Sequence, residues 1–519
     1  MAETPFFWKR LNIQQKCAFI STFIIGLITH GSMLFNKYSF HDDLRYLYTG
    51  GVTFTSGRWM LYIVEKVKNV IFQDSLYSIP VVNGIFTFFC IAVSSCLLID
   101  LFNIRSTKLC VLQSGIMVSI PVVTCMFGYM FTAQFFALAI LFAVSGAFLI
   151  LKKNNWYCIL LGILLSSASI GIYQAYISIF ISVIIFGLIK QFSEIDCQEK
   201  QLAVYKKTII CIISLVSSLV VYWLLMNFFL RINGLELGSY LGMNEVKNQA
   251  VTIYLQRIPT LYREFIYPEI STPYNVLPGV SYVIYMVFVV LFVFLSVLLT
   301  IRVFKSSRVN GIIFLLLELV IPICVKFEFI MIPSGGCYAM MVYADTLFFV
   351  FLIWLFEKNS KSFQGISLKY IKYCLYIGLF LIVSIFFRFD NVCYTRLEMA
   401  HTAAIRYYTS LVTRMQIETK YDTSMPVAYI GDPQVVRWDP TVPENDEFGY
   451  VKIYPYFPQY QMINDTFRLF MEIWFNFKPR EIDPAYFTDM LEVQEMPAFP
   501  AGDSIKVIND TLVVKFIEN

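Results

Sequence analysis

VSYVIYMVFVVLFVFLSVLLTIRVFKSSR, residues 280–308, begins with 22 residues that carry no charge and closes on Arg302, Lys305 and Arg308. A helix rising about 1.5 Å per residue crosses the roughly 30 Å hydrocarbon core of a bilayer in some 20 apolar residues, and terminal basic groups anchor it. Similar runs recur near 14–36, 79–102, 109–126, 131–151, 156–170, 173–190, 208–230, 311–331, 338–356 and 370–389, which with 280–301 makes eleven candidate spans. The residues AVILMFWYC form 58% of the 519-residue chain and charged residues 15%, which excludes a soluble protein of ordinary composition. The expected class is a polytopic α-helical membrane protein. The fifth and sixth runs, joined by SIGIYQAY (169–176), are short and read equally as two half-helices or one re-entrant unit.

Basic residues divide the connections into two sets. Lys9 and Arg10, Arg105 and Lys108, Lys152 and Lys153, Lys190 to Lys207, Arg302 to Arg308, and Lys358 to Lys372 cluster at alternate span ends. The short turns near 127–130, 171–172 and 332–337 carry none. By the positive-inside rule the first set is cytoplasmic, with the N-terminus inside. The long loops 37–78 and 231–279, and everything after 390, are then expected outside. The net charge of +4 belongs largely to this basic set, so no nucleic-acid partner is implied. The first run lacks a small-residue cleavage site and reads as a retained helix rather than a signal peptide.

The expected domains are 1–389, the membrane module, and 390–519, a small α+β domain. In the latter, CYTRLEMAHTAAIRYYTSLVTRMQIE has helical apolar spacing, PVAYIGD alternates like a strand, TFRLFMEIWFNF reads as a helix, and DSIKVINDTLVVKFIEN reads as a hairpin around Asn509-Asp510. In RWMLYIVEKVKNVIF (58–72), Trp59, Met60, Ile63, Val64, Val67, Val70 and Ile71 share one helical face, with Glu65, Lys66, Lys68 and Asn69 opposite, as for a helix lying in the membrane interface. A similar pattern over 243–268 is interrupted at Pro259 and carries Arg257 and Arg263. Twelve scattered cysteines without C-x-x-C, and three histidines, indicate neither a disulfide framework nor a metal centre. No cofactor is expected.

The residues with chemistry to offer lie around these loops. His41, Asp42 and Asp43 follow the first span, among Tyr46, Tyr48, Phe54 and Trp59 and the glycines Gly50, Gly51 and Gly57. Solvated loop carboxylates are the plainer reading of an acidic pair. In this setting one Asp can instead serve as general base toward an acceptor hydroxyl while its neighbour orients the acceptor or stabilises positive charge at a sugar carbon. The pair can also hold a hard divalent cation, although two carboxylates are too few ligands to assert one. Arg58 either snorkels at a helix start or clamps a phosphate oxygen, a choice shared by Arg257, Arg263, Arg388 and Arg396. Tyr173 and Gln174, preceded by Ser166, Ser167 and Ser169, either pack helices or hydrogen-bond sugar hydroxyls. Lys326 and Glu328 near the end of the ninth run either snorkel or face a cavity, and Glu318 is expected to meet a partner within the bundle.

HDDLRYLYTGGVTFTSGRW (41–59), GIYQAY (171–176) and AGDSIKVINDTLVVKF (501–516) together resemble the serotype-converting O-antigen glucosyltransferases of the Gtr type, within the GT-C superfamily. The resemblance implies a multi-helix GT-C-like membrane enzyme whose active site opens outward. It implies a polyprenyl-phosphate sugar as donor, with glucose as the sugar, and a cell-envelope glycan such as O-antigen as acceptor. It further implies an essential acidic residue in the first outer loop, which carries onto Asp42 or Asp43, and a lysine near the C-terminus, which the VVKF match places on Lys515. Relatives often carry an Arg after a Pro-containing outer turn of a late helix. IPSGGCYAMMVYAD (332–345) offers none, which leaves donor phosphate to Lys326 or Arg58. The implied setting is the bacterial inner membrane, with lipid, a separate flippase and a donor synthase as partners. A transporter or flippase for lipid-linked sugars, or a polymerase, would share the apolar character. Midplane binding groups and inverted repeats, which would favour a transporter, are not evident.

Overall fold

The computed structural model describes residues 10–38, 42–239, 251–267, 280–332, 337, 339–360, 366–418, 421–433 and 466–517. It resolves into two units: the first holds the chain to Phe35 together with Tyr48–Asn391, and the second combines Asn36–Leu47 with the described residues from Val392 onward.

The first unit is helical. Its elements are α1 (Ile13–Phe35), α3 (Trp59–Phe72), α4 (Pro80–Phe102), α5 (Thr107–Ser119), α6 (Pro121–Gly128), α7 (Met130–Lys152), α8 (Trp156–Ile172), α9 (Ile177–Phe192), α10 (Gln198–Ile232), α11 (Val251–Ile266), α12 (Val280–Ser306), α13 (Arg308–Val325), α14 (Glu328–Met331) and α15 (Asp345–Asn359). A 52-residue helix, α16 (Ile366–Ile417), carries the chain into the second unit, so the span expected at 370–389 and the helix expected after 390 are one element. The short α2 (Asp42–Arg45) belongs to the second unit.

Among the described residues nine helical segments are long and apolar enough to cross a membrane, which is the character of a membrane protein. The expected eleven differ from these at two places. Helix α8 has 17 residues and α15 has 15, both short of a full crossing. The expected run 109–126 is one span in two pieces. Ile120 takes an extended ψ of 134°, because Pro121 lacks an N–H and its ring crowds a helical predecessor. The ninth run stops at Val325, where Lys326 leaves helical geometry, and α14 follows as a separate turn. Glu318 accepts a hydrogen bond from Thr300 of α12, the partner its position within a span demands.

In the second unit β1 (Val427–Ile430), β2 (Ile505–Ile508) and β3 (Thr511–Lys515) form a sheet of order β1-β3-β2. β1 runs parallel to β3 with Val427 opposite Leu512, and β2 runs antiparallel with Ile505 opposite Val514. The hairpin turns at Asn509 and Asp510 with φ of 48° and 54°, the left-handed pair that a two-residue turn requires and that Asn and Asp tolerate. Helix α17 (Phe467–Phe475) and the short α18 (Ala485–Thr488) and α19 (Leu491–Gln494) complete it. Ala428, Ile430, Val513, Phe487, Val493 and Met496 share its core.

Candidate active site

Helix α3 turns most of its expected apolar stripe outward, with Trp59 at its start as the exception. Trp59, Leu61 and Glu65 are buried, while Val67, Val70 and Ile71 are 52%, 78% and 64% exposed. The apolar face points away from the protein, as an interfacial helix needs, and the carboxylate turns inward.

What precedes α3 explains how. Gly57 sits at φ +70°, and a Cβ there would lie 2.7 Å from Gln174 Nε2 and 2.8 Å from Tyr222 Oη. Glycine lets two polar side chains close on the backbone. Gln174 donates to the Ser56 carbonyl, and Tyr222 of α10 donates to the Gly57 carbonyl at 3.2 Å while receiving Gln174 Nε2 at 3.3 Å. The Arg58 guanidinium stands over the Tyr173 ring with 5.2 Å to its centroid, a cation–π contact. Trp59 and Phe54 stack on Phe229, and Gly171 meets the Trp59 indole where a Cβ would lie 2.6 Å from the ring. Gly238 N–H donates to the Thr55 carbonyl at 2.7 Å, joining the second long loop to the same turn.

The structure therefore brings Arg58, Tyr173 and Gln174 into one cluster. Between α8 and α9, Tyr173 is extended and Gln174–Tyr176 form one 3-10 turn, which sets Gln174 against the Ser56 carbonyl and the Tyr173 ring under the Arg58 guanidinium. Among the described residues, buried Arg58 Nε and Trp59 Nε1 in this cluster find no hydrogen-bond acceptor. A buried donor without a partner costs about 1–3 kcal/mol, which an acceptor on a bound group would relieve.

Residues 31–351 match the family model described as glucosyl transferase GtrII, 321 of 519 residues. The chain belongs to the GtrII glucosyltransferase family. It is thus a glycosyltransferase. No curated protein and no solved structure matches it.

The match covers the Arg58 cluster, the first-loop acids and Lys326 but ends before Lys515. In this GtrII glucosyltransferase Lys326 is 1% exposed, and its Nζ lies 2.8 Å from both oxygens of Asp345. Its charge is met by that carboxylate. Glu328 is likewise buried, at 1% exposure. Arg257 of α11 donates to the carbonyls of Phe329 and Ile332, closing the turn after α14. Arg263 lies 3.6 Å from Glu264, Arg388 is exposed, and the Arg396 side chain and His41 lie outside the described residues.

Asp42 and Asp43 open α2 in the second unit. Asp43 is 1% exposed and bound by Lys37 Nζ at 2.6 Å, whereas Asp42 is half-buried. Lys515, at the end of β3, is also buried. Its ammonium donates to the carbonyls of Val493 at 3.0 Å and Gln494 at 2.9 Å, capping the last turn of α19.

Sequence reading missed Trp59 Nε1, Tyr222, Asp345 and Glu65. Gly57 was the available signal for Tyr222, since a buried loop glycine marks a close approach. Glu65 has an analogous one: a Cβ on Gly50 would lie 1.9 Å from Glu65 Oε1, so the carboxyl fills the space that Gly50 leaves. Burial pushes the Glu65 carboxyl up to about 7, against the opposing pull of Lys66 and the Gly50 amide.

A raised carboxyl pKa fixes the sign of its effect on stability. Above the ordinary value of 4.5 the unfolded chain ionises Glu65 while the folded chain keeps it neutral, so its contribution becomes steadily less favourable up to about pH 7 and is constant beyond. Glu65→Gln is expected to stabilise the protein by roughly 2 kcal/mol at pH 8 and to change it little at pH 4. Thermal unfolding at both values measures this; a gain independent of pH would contradict the assignment.

Proposed function

We propose that this glucosyltransferase moves glucose from a polyprenyl-phosphate donor to a cell-envelope glycan such as O-antigen, on the outer face of the bacterial cytoplasmic membrane. The observation that carries the reading is the Arg58 cluster, where buried Arg58 Nε and Trp59 Nε1 lack acceptors among the described residues, beside Gln174 and Tyr222. Phosphate oxygens supply acceptors, and a guanidinium presents its donors in the matching planar fork. With Lys326 committed to Asp345, Arg58 is the phosphate ligand. Gln174 and Tyr222 hold the turn that carries it.

The exposed apolar face of α3 supports a lipid-linked donor, since the prenyl chain and this face share the same solvent. Basic residues gathered at alternate span ends support an N-terminus inside and the acidic first loop outside, away from cytosolic nucleotide sugars. In the transfer, the acceptor oxygen attacks the anomeric carbon and gives its proton to an aspartate of that loop. The bond from this carbon to the phosphate oxygen breaks, and prenyl phosphate leaves with the electron pair. Charge on the leaving phosphate is met by Arg58, an electrostatic term that commonly exceeds base catalysis.

Purified full-length protein, incubated with polyprenyl-phosphate glucose and envelope glycan, should release polyprenyl phosphate. Arg58→Lys should raise the donor KM roughly tenfold, because one ammonium replaces a two-pronged contact. An intact donor after incubation would refute the donor class and leave a transporter or polymerase. A normal KM in the variant would refute Arg58 alone.

A further inference from the structure

A cavity of about 470 Å³ opens at the other end of the first unit, between the ends of α7 and α9 and the start of α10. Lys152, Lys200, Lys206 and Lys207 line it against a single carboxylate, Glu194. On α10 the lining residues Lys200, Ala203, Lys207 and Ile210 recur every three or four positions, so one helical stripe forms the wall.

The lysines divide by role. Lys207 is buried and donates to the carbonyls of Ile150 at 2.9 Å and Lys153 at 2.8 Å, which caps α7 and holds the wall. Lys152 lies 3.2 Å from Asp100, Lys200 pairs with Asp196 where both are more than half exposed, and Glu194 is 3.7 Å from Lys358. Lys206 is exposed and has no partner among the described residues. The cavity therefore keeps an excess of positive charge.

Two further observations place it at a membrane surface. Trp156 and Tyr157, which open α8 beside Lys152, are 75% and 56% exposed, and such aromatics settle at headgroup level. Below them, the exposed flanks of α8 and α10 are apolar, with Leu160, Leu164, Ile209 and Ile213 outward. A molecule with an anionic head in the cavity has a hydrocarbon path for its tails.

We propose that this cavity binds the phosphate headgroup of an anionic bilayer phospholipid. Lys200 and Lys206 meet the phosphate, Leu151 and Ile210 receive the start of the acyl chains, and Lys207 keeps the wall in place. The assignment is independent of the transfer reaction.

Native mass spectrometry of the full-length protein tests it, with phosphatidylglycerol and phosphatidylcholine of identical chains as probes. The protein should retain phosphatidylglycerol preferentially. Lys200→Gln with Lys206→Gln should weaken that retention roughly twentyfold. The pair Lys369→Gln and Lys372→Gln, at another helix start, should leave it intact. Equal retention of the two lipids, an unaffected first pair, or an equal loss in the second pair would overturn the proposal. So would displacement of the lipid by millimolar glycerol phosphate, which would mark a site for a soluble anion.

Discussion

Asp42→Asn should reduce glucosyl transfer by about a thousandfold or more with the protein still folded, while Asp43→Asn should act mainly through stability. A positioned general base contributes about 10²–10⁴ in rate, and a base in the rate-limiting step loses most of that on conversion to an amide. Asp43 is the less suited of the two: its Oδ2 is occupied by Lys37 at 2.6 Å and its side chain is 1% exposed. Asp42, half-buried at the head of the same turn, is the residue a substrate hydroxyl can approach. Breaking a partly buried ion pair leaves the second charge uncompensated, and replacing both partners by uncharged groups relieves this. Asp43→Asn should therefore lower the unfolding midpoint, and adding Lys37→Met should restore it. The measurements are kcat for transfer and thermal unfolding on each variant. Undiminished transfer by Asp42→Asn would end its assignment as base.

Lys515→Met should destabilise the second unit by about 3 kcal/mol, because two carbonyls at the end of α19 lose a charged donor within a packed core. Met keeps much of the volume, so the change isolates the ammonium. Limited proteolysis of the full-length protein should show faster cutting between β1 and β3. Activity should fall with the folded fraction, while the donor KM of the surviving enzyme stays constant. A normally folded variant with a raised KM would instead give Lys515 a role in substrate binding.

Nine of the eleven expected spans were legible because twenty apolar residues in a row have few other uses, whereas the break at Pro121 inside the third was not read. The hairpin was equally plain, since Asn509-Asp510 is a turn by its own chemistry. The outward apolar stripe of α3 was legible as well, with Val67, Val70 and Ile71 exposed, but the burial of Glu65 was not, because periodicity sets a carboxylate opposite the stripe without showing what it meets. Ion pairs between distant residues were invisible for a different reason. Lys326, in the turn between α13 and α14, and Asp345, at the start of α15, are 19 positions apart, so only packing shows that one neutralises the other. The Arg58 cluster was half legible: Arg58, Tyr173 and Gln174 stood out as polar residues in apolar surroundings, whereas Tyr222 lay unremarked inside a long span.

One device recurs at three helix ends. Lys190 donates to the Leu101 carbonyl in the last turn of α4, Lys207 caps α7, and Lys515 caps α19. Two of these belong to the basic set from which insertion orientation is argued. Their charge is folded inward, so the translocation machinery reads on the nascent chain a stronger positive signal than the finished protein displays to its lipids. Charge-swap experiments that probe orientation should therefore use Lys153 or Lys206, both exposed, because neutralising Lys190 or Lys207 would uncap a helix and confound topology with folding.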